Sequence, residues 1–227
     1  MSGAVIRRFG GRPTADAAAL LETTILDAAT AAFLADGYAA TSIEAVAKGS
    51  GVAKRTLYAR WDGKPALFRA VVERLMTRWL SLAGGWTPVM GGAVSGLAGL
   101  EDALNDAAER ILAIALRPEA VALHRLLVAE SARFPELPRM MHQAGASEGG
   151  IRIAALLDQA VATGMLPPGD TVFAAEQFLH LVLAGPQRRA LGLGPPLDEP
   201  AVKAWCHAAV RLFLSGVRNE RLPHQAE

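Results

Sequence analysis

The chain predicts an all-α protein: a three-helix head built on a helix-turn-helix unit, followed by a helical bundle, about nine helices in total. Three observations carry this. Apolar residues recur at i, i+3 and i+4 spacing along most of the 227 residues, with no strand-like alternation and no repeat competing. Glycine and proline punctuate that pattern at intervals suited to helix ends, at Gly84, Gly85 and Pro88, at Pro118, at Pro135 and Pro138, and at Gly164 with Pro167 and Pro168. The segment from Thr41 to Pro65, TSIEAVAKGSGVAKRTLYARWDGKP, reads as two short helices around a glycine turn.

The elements follow in order. Residues 1–16 hold Arg7, Arg8 and Arg12 among Gly3, Gly10 and Gly11 without helical periodicity, and are expected to be a flexible basic arm. Residues 17–83 form the head together with a connecting fourth helix. Thr41 and Glu44 have the spacing of a capping box, so a short helix should open near Ser42. Its Ile43, Val46 and Ala47 share one buried stripe. Gly51 should stop it by taking the left-handed backbone of a tight corner, with Val52 tucked into the angle. A second helix from about Ala53 should turn Leu57 and Trp61 inward and Arg55, Thr56 and Ala59 outward, flanked by Tyr58 and Arg60. Asp62 can cap the fourth helix, where Pro65 suits the first turn and Leu67, Phe68, Val71, Val72, Leu75, Met76 and Trp79 follow at helical spacing. Residues 84–98, with GGAVSGLAG, read as a loop. Residues 99–220 form the body, with helices near 100–116, 119–134, 137–163, 171–191 and 199–217, and residues 221–227 are a tail.

Charge points to a partner that the net value of +1 conceals. Residues 1–80 carry eleven Lys or Arg against seven Asp or Glu, whereas the rest carries twelve against fifteen. Lys48, Lys54, Arg55, Arg60 and Lys64 crowd the glycine-turn segment. An α-helix fits the major groove of duplex DNA, where arginine bridges the acceptors of guanine and a methyl group rests on thymine; Lys54, Tyr58 and Arg60 suit phosphates. An ordinary hairpin with solvated charges explains the charge but not its location.

The stretch from Leu21 to Met76 resembles the DNA-binding domain of the TetR family of bacterial transcriptional regulators. The resemblance rests on Ala28, Ala29, Phe33, Gly37, Tyr38, Thr41, Ser42, Gly51, Val52, Thr56, Leu57, Tyr58, Trp61, Lys64, Leu67 and Phe68. Four positions depart from the family pattern. Ala53 stands where a capping serine is frequent, Arg60 where histidine or tyrosine is usual, Trp61 where phenylalanine is usual, and Gly63 where serine is frequent. The resemblance implies that Arg55, Thr56 and Ala59 face base edges and that Thr41, Ser42, Lys54, Tyr58, Arg60 and Lys64 hold phosphates. Arg7, Arg8 and Arg12 on the arm either enter the minor groove or remain solvated.

In the body, the last two helices are apolar over more than one stripe. That predicts either a homodimer through Phe178, Val182, Trp205, Ala209 and Phe213 or deep burial within one chain. The resemblance favours the dimer, set on a palindromic operator, and implies a small hydrophobic effector whose binding moves the heads out of register. His124, Glu130, Phe134, Met141, Gln177 and His180 are the sparse polar or adaptable groups that such a pocket needs, though each also suits an ordinary helix position.

The expected activity is therefore that of a ligand-responsive transcriptional repressor; a ligand-independent regulator or an activator acting through protein contacts is the alternative. Enzymatic activity is not expected. His124, His142, His180, His207 and His224 form no HExxH pair, a lone Cys206 makes no cysteine-rich metal site, and neither a phosphate loop nor a GxSxG elbow is present. No cofactor or metal is expected. Without an N-terminal apolar stretch or an evident membrane-spanning run, and with no possible intrachain disulfide, the expected place is the cytoplasm.

Overall fold

A computed structural model describes residues 15–84, 96–137 and 149–219. Among these residues there are nine α-helices and no strand: α1 Ala15–Ala40, α2 Ile43–Ser50, α3 Lys54–Tyr58, α4 Gly63–Gly84, α5 Gly96–Ala115, α6 Pro118–Glu130, α7 Ile151–Ala162, α8 Thr171–Ala190 and α9 Glu199–Asn219. The expected all-α architecture is present. The arm, most of the 84–98 loop, residues 138–148 and the tail lie outside the described residues. The chain forms two compact units that meet inside α4, between Val71 and Val72.

The first unit is assembled on aromatic side chains. Buried Ile25, Leu26, Ala29 and Phe33 line one face of α1, which Gly37 breaks with φ 79° and ψ 170°. Beyond that break Tyr38 stacks on Phe33 with centroids 6.0 Å apart, and Phe68 from α4 meets both rings at 5.1 and 4.9 Å. Ile43, Val46, Ala47, Leu57, Leu67 and Val71 complete this core. By length and composition α1 would pass for a membrane-spanning helix, contrary to the expectation that no run would. Its buried face instead supplies the core of the head.

One sequence expectation about the head is corrected. The cap of α2 is Ser42, whose Oγ accepts from the Ala45 amide at 3.0 Å. Thr41 is only 3% exposed, and its hydroxyl is shared between the carbonyls of Gly37 at 2.8 Å and Ala32 at 3.2 Å. It closes α1 rather than opening α2, so Thr41 and Glu44 form no capping box. Trp61 is half-buried one helical turn past Leu57, and its amide bonds the Leu57 carbonyl at 2.9 Å, so the helical rotation runs on past Tyr58.

The turn behaves as its glycine requires. Gly51 adopts φ 68° and ψ 17°, and its amide donates to Ala47 and Lys48 while the Val52 amide donates to Ala47 at 3.1 Å. That is the paired hydrogen bonding of a Schellman ending. Any residue with a Cβ would be strained there.

In the second unit α5, α7, α8 and α9 bury one continuous apolar core. Leu100, Leu104, Ala108 and Leu112 of α5 and Ile153, Leu156 and Leu157 of α7 pack with Phe178 and Val182 of α8 and with Cys206, Val210, Phe213 and Leu214 of α9. In α6, Leu123, Leu126 and Leu127 are also buried. Asp170 and Asp198 accept backbone amides at the starts of α8 and α9, each at 2.9 Å.

The joint between α8 and α9 has a specific chemistry. Pro186 inside α8 has no N–H, so the carbonyl of Val182, four residues earlier, loses its helical donor. The indole Nε1 of Trp205 donates to that carbonyl at 3.1 Å. Gly185 permits the approach, since a Cβ there would lie 2.3 Å from the indole ring.

This core corrects the expected dimer residues. Phe178, Val182, Ala209 and Phe213 are buried within the single chain, Phe178 and Phe213 in edge contact at 5.2 Å, and Trp205 is committed to Val182. Most of the apolar surface of these two helices is covered by α5 and α7, while Val172, Phe173 and Leu212 stay exposed.

Candidate nucleic-acid interface

The outward side of the helix-turn-helix is set by one buried anchor. Leu57 is 1% exposed and fixes the rotation of α3. Arg55 and Ala59 then point to solvent, Tyr58 is 52% exposed, and Thr56 is half-buried. Ala53 stands at the helix start and gives no side-chain cap; the Thr56 amide bonds the Ala53 carbonyl at 2.8 Å. Of the predicted outward set, Arg55 and Ala59 are exposed, Ala59 just past the end of α3, and Thr56 is half-buried on the helix.

The cations around it differ in how they are held. Lys54 Nζ donates to the carboxylate of Glu44 on α2 and lies 5.6 Å from the centroid of the Tyr58 ring. The hydrogen bond from Lys54, aided by the residue's own amide, lowers the Glu44 pKa from its ordinary value; the bond to Glu44 raises that of Lys54. Arg60 donates through a guanidinium N–H to the Ala18 carbonyl at 3.3 Å, bracing α1. Lys64 donates to the Ala39 carbonyl at 3.0 Å and sits 4.5 Å from the Tyr38 ring centroid, tying the start of α4 to the end of α1. Lys48 is exposed in the last turn of α2.

Several sequence-predicted positions do not join this face. Thr41 is turned into the protein with its hydroxyl occupied by carbonyls, so its side chain is not a phosphate donor. Ser42 is half-buried and its oxygen caps α2. Arg7, Arg8 and Arg12 lie outside the described residues. Glu44, expected in a capping box, instead pairs with Lys54 across ten residues and a turn; opposite charge was the only signal in the sequence for that pairing.

The proposed effector groups do not converge as expected. His124 is half-buried in α6, and desolvation lowers its pKa. Phe134 is buried and Glu130 half-buried. Gln177 and His180 lie on the exposed side of α8, because roughly 100° per residue carries both away from the inward face of Phe178 and Val182. Met141 lies outside the described residues. Periodicity missed Asn105, a buried polar side chain in α5 whose Oδ1 has no hydrogen-bond partner among the described residues.

A helix-turn-helix with an exposed basic reading helix, followed by a helical body, defines the class of DNA-binding transcriptional regulators. The comparisons agree. Residues 25–71 match the profile of bacterial regulatory proteins of the tetR family, and residues 102–216 match the C-terminal domain of AefR-like transcriptional repressors. The chain belongs to the TetR family, whose members are transcription factors. It is similar to a TetR-family regulator from Mesorhizobium loti MAFF303099, with 27% identity, 87% of this chain and 96% of that chain covered, and a TM-score of 0.76. It is also similar to the flavonoid-responsive regulator FrrA, with 33% identity, coverage of 89% and 99%, and a TM-score of 0.69. A TetR regulator from Agrobacterium tumefaciens shares the fold at 22% identity, coverage of 89% and 96%, and a TM-score of 0.72. No curated protein matches the chain.

Proposed function

We propose that this chain is a homodimeric cytoplasmic repressor that binds a palindromic operator and is released by a small, largely apolar effector. The observation that carries the reading is the outward row of Arg55, Tyr58 and Ala59 over buried Leu57. In this reading Arg55, Thr56 and Ala59 meet base edges, while Tyr58, Arg60, Lys64 and the arm's Arg7, Arg8 and Arg12 meet the backbone or minor groove. Residues 17–83 serve as the reading domain and residues 99–220 as the effector and dimer domain.

The dimer face belongs on the outside of α9, where Ala204, Ala208, Leu212 and Gly216 recur every four residues and are exposed. Small side chains there permit close helix approach, and Leu212, 64% exposed, supplies apolar area. Similarity to FrrA supports an aromatic effector of the flavonoid kind. The acceptor of Asn105, unpartnered among the described residues, suits a hydroxyl on such a molecule. An effector releases DNA only if it favours one arrangement of the dimer over the other.

The test is to find an inverted repeat beside the coding region and measure duplex binding with and without a panel of flavonoids. Retention of the repeat and its release by one compound are expected. Failure to retain any flanking duplex at low salt contradicts the reading.

A further inference from the structure

The basic face of the head contains an acid that does not serve the core. Glu44 is exposed on α2, and its carboxylate holds the ammonium of Lys54, the first residue of α3. The Tyr58 ring lies to one side at 5.6 Å. The side chains of the pair are 49% and 61% exposed, so the contact is open to solvent beside the reading helix. Cap formation does not need Glu44, because Ser42 caps α2. The opposed pKa shifts of the two groups agree with a pair that is charged on both sides at neutral pH.

We propose that Glu44 is an electrostatic brake on DNA binding: it occupies Lys54 and so withholds one cation per head from the phosphate backbone. An unpaired lysine at the start of a reading helix neutralises a phosphate whatever the sequence, and this raises sequence-independent affinity. A paired lysine must give up its carboxylate first, and that carboxylate is then left beside the phosphates. Glu44 therefore acts through Lys54 as a positioning residue, and sequence-independent retention stays below what the local count of basic residues would give. The inference rests on the head binding DNA.

The experiment measures the full-length wild type, Glu44→Gln and Glu44→Gln/Lys54→Gln on a random-sequence duplex over a salt series. Retention of duplex by the wild type at low salt tests DNA binding itself, separately from the brake. Glu44→Gln should bind more tightly at low salt, with the slope of log K against log salt steeper by about 0.9 for each head. For one head, the affinity ratio of variant to wild type should fall roughly 3.5-fold when salt rises fourfold. The double variant should return to the wild-type slope. A Glu44→Gln slope equal to wild type overturns the proposal, as does a steeper slope that persists without Lys54. Weaker binding at every salt concentration with an unchanged slope also overturns it, by showing that the pair only braces α3. Glu44→Ala gives the same readout should the glutamine variant fold poorly.

Discussion

His124 and Cys206 show what burial does to single groups in the second unit. Desolvation lowers the His124 pKa from the ordinary 6.5, so the unfolded chain binds a proton more readily than the folded one. Its contribution to stability is complete above that pH and declines as pH falls through it. The thermal midpoint of the wild type should drop between pH 7.5 and 5.5 by more than that of His124→Gln; equal drops would remove His124 as the cause. Cys206 is pushed up to about 11 by burial, with Glu109 adding to the shift. Its thiol should resist alkylation at neutral pH until the protein unfolds, as mass spectrometry across a denaturant series would show. The sequence revealed Leu57 as an inward anchor because one turn of periodicity suffices to place it. Thr41 was misread since caps depend on the register of the helix start: a shift of one residue moved the capping role to Ser42 and sent the threonine inward.

Helices α8 and α9 illustrate how an element repairs its own defect. Pro186 strips the Val182 carbonyl of its donor, and Trp205 of the next helix supplies one. Trp205→Phe should cost about 1–3 kcal/mol in chemical denaturation, the penalty of leaving a buried acceptor unpaired. In a Pro186→Ala background the same change should cost less, because residue 186 then donates to Val182. Equal costs in both backgrounds would show that Trp205 acts through packing alone. Gly185→Ala should also destabilise, by driving a methyl group against the indole. None of this was legible beforehand: the proline and tryptophan are 19 residues apart in sequence (205 − 186), and no periodicity says which carbonyl a side chain will reach.

At the scale of the whole molecule, the order of the described helices was legible because each carries its own apolar stripe and its own stop signal. Which surface would meet a second chain was not. Apolar residues on two sides of α8 and α9 fit a dimer or a four-helix core equally, and only the positions of α5 and α7 separate the two. The interface proposed for the outer side of α9 leads to a contrast between neighbours. Leu212→Glu should give a folded monomer in sedimentation, with operator affinity greatly weakened. Phe213→Glu, one position on, should unfold the chain by burying a charge in the core. A Leu212→Glu protein that remains dimeric would exclude this face.

Reading of bases by α3 is tested most directly by titrating wild type and Arg55→Ala against the operator and against the same duplex with its contacted guanine pair replaced. The wild type should lose about 1–3 kcal/mol of binding on the altered duplex, and Arg55→Ala should bind the two alike. An Arg55→Ala protein that keeps the full wild-type preference between the duplexes would contradict base recognition by this helix.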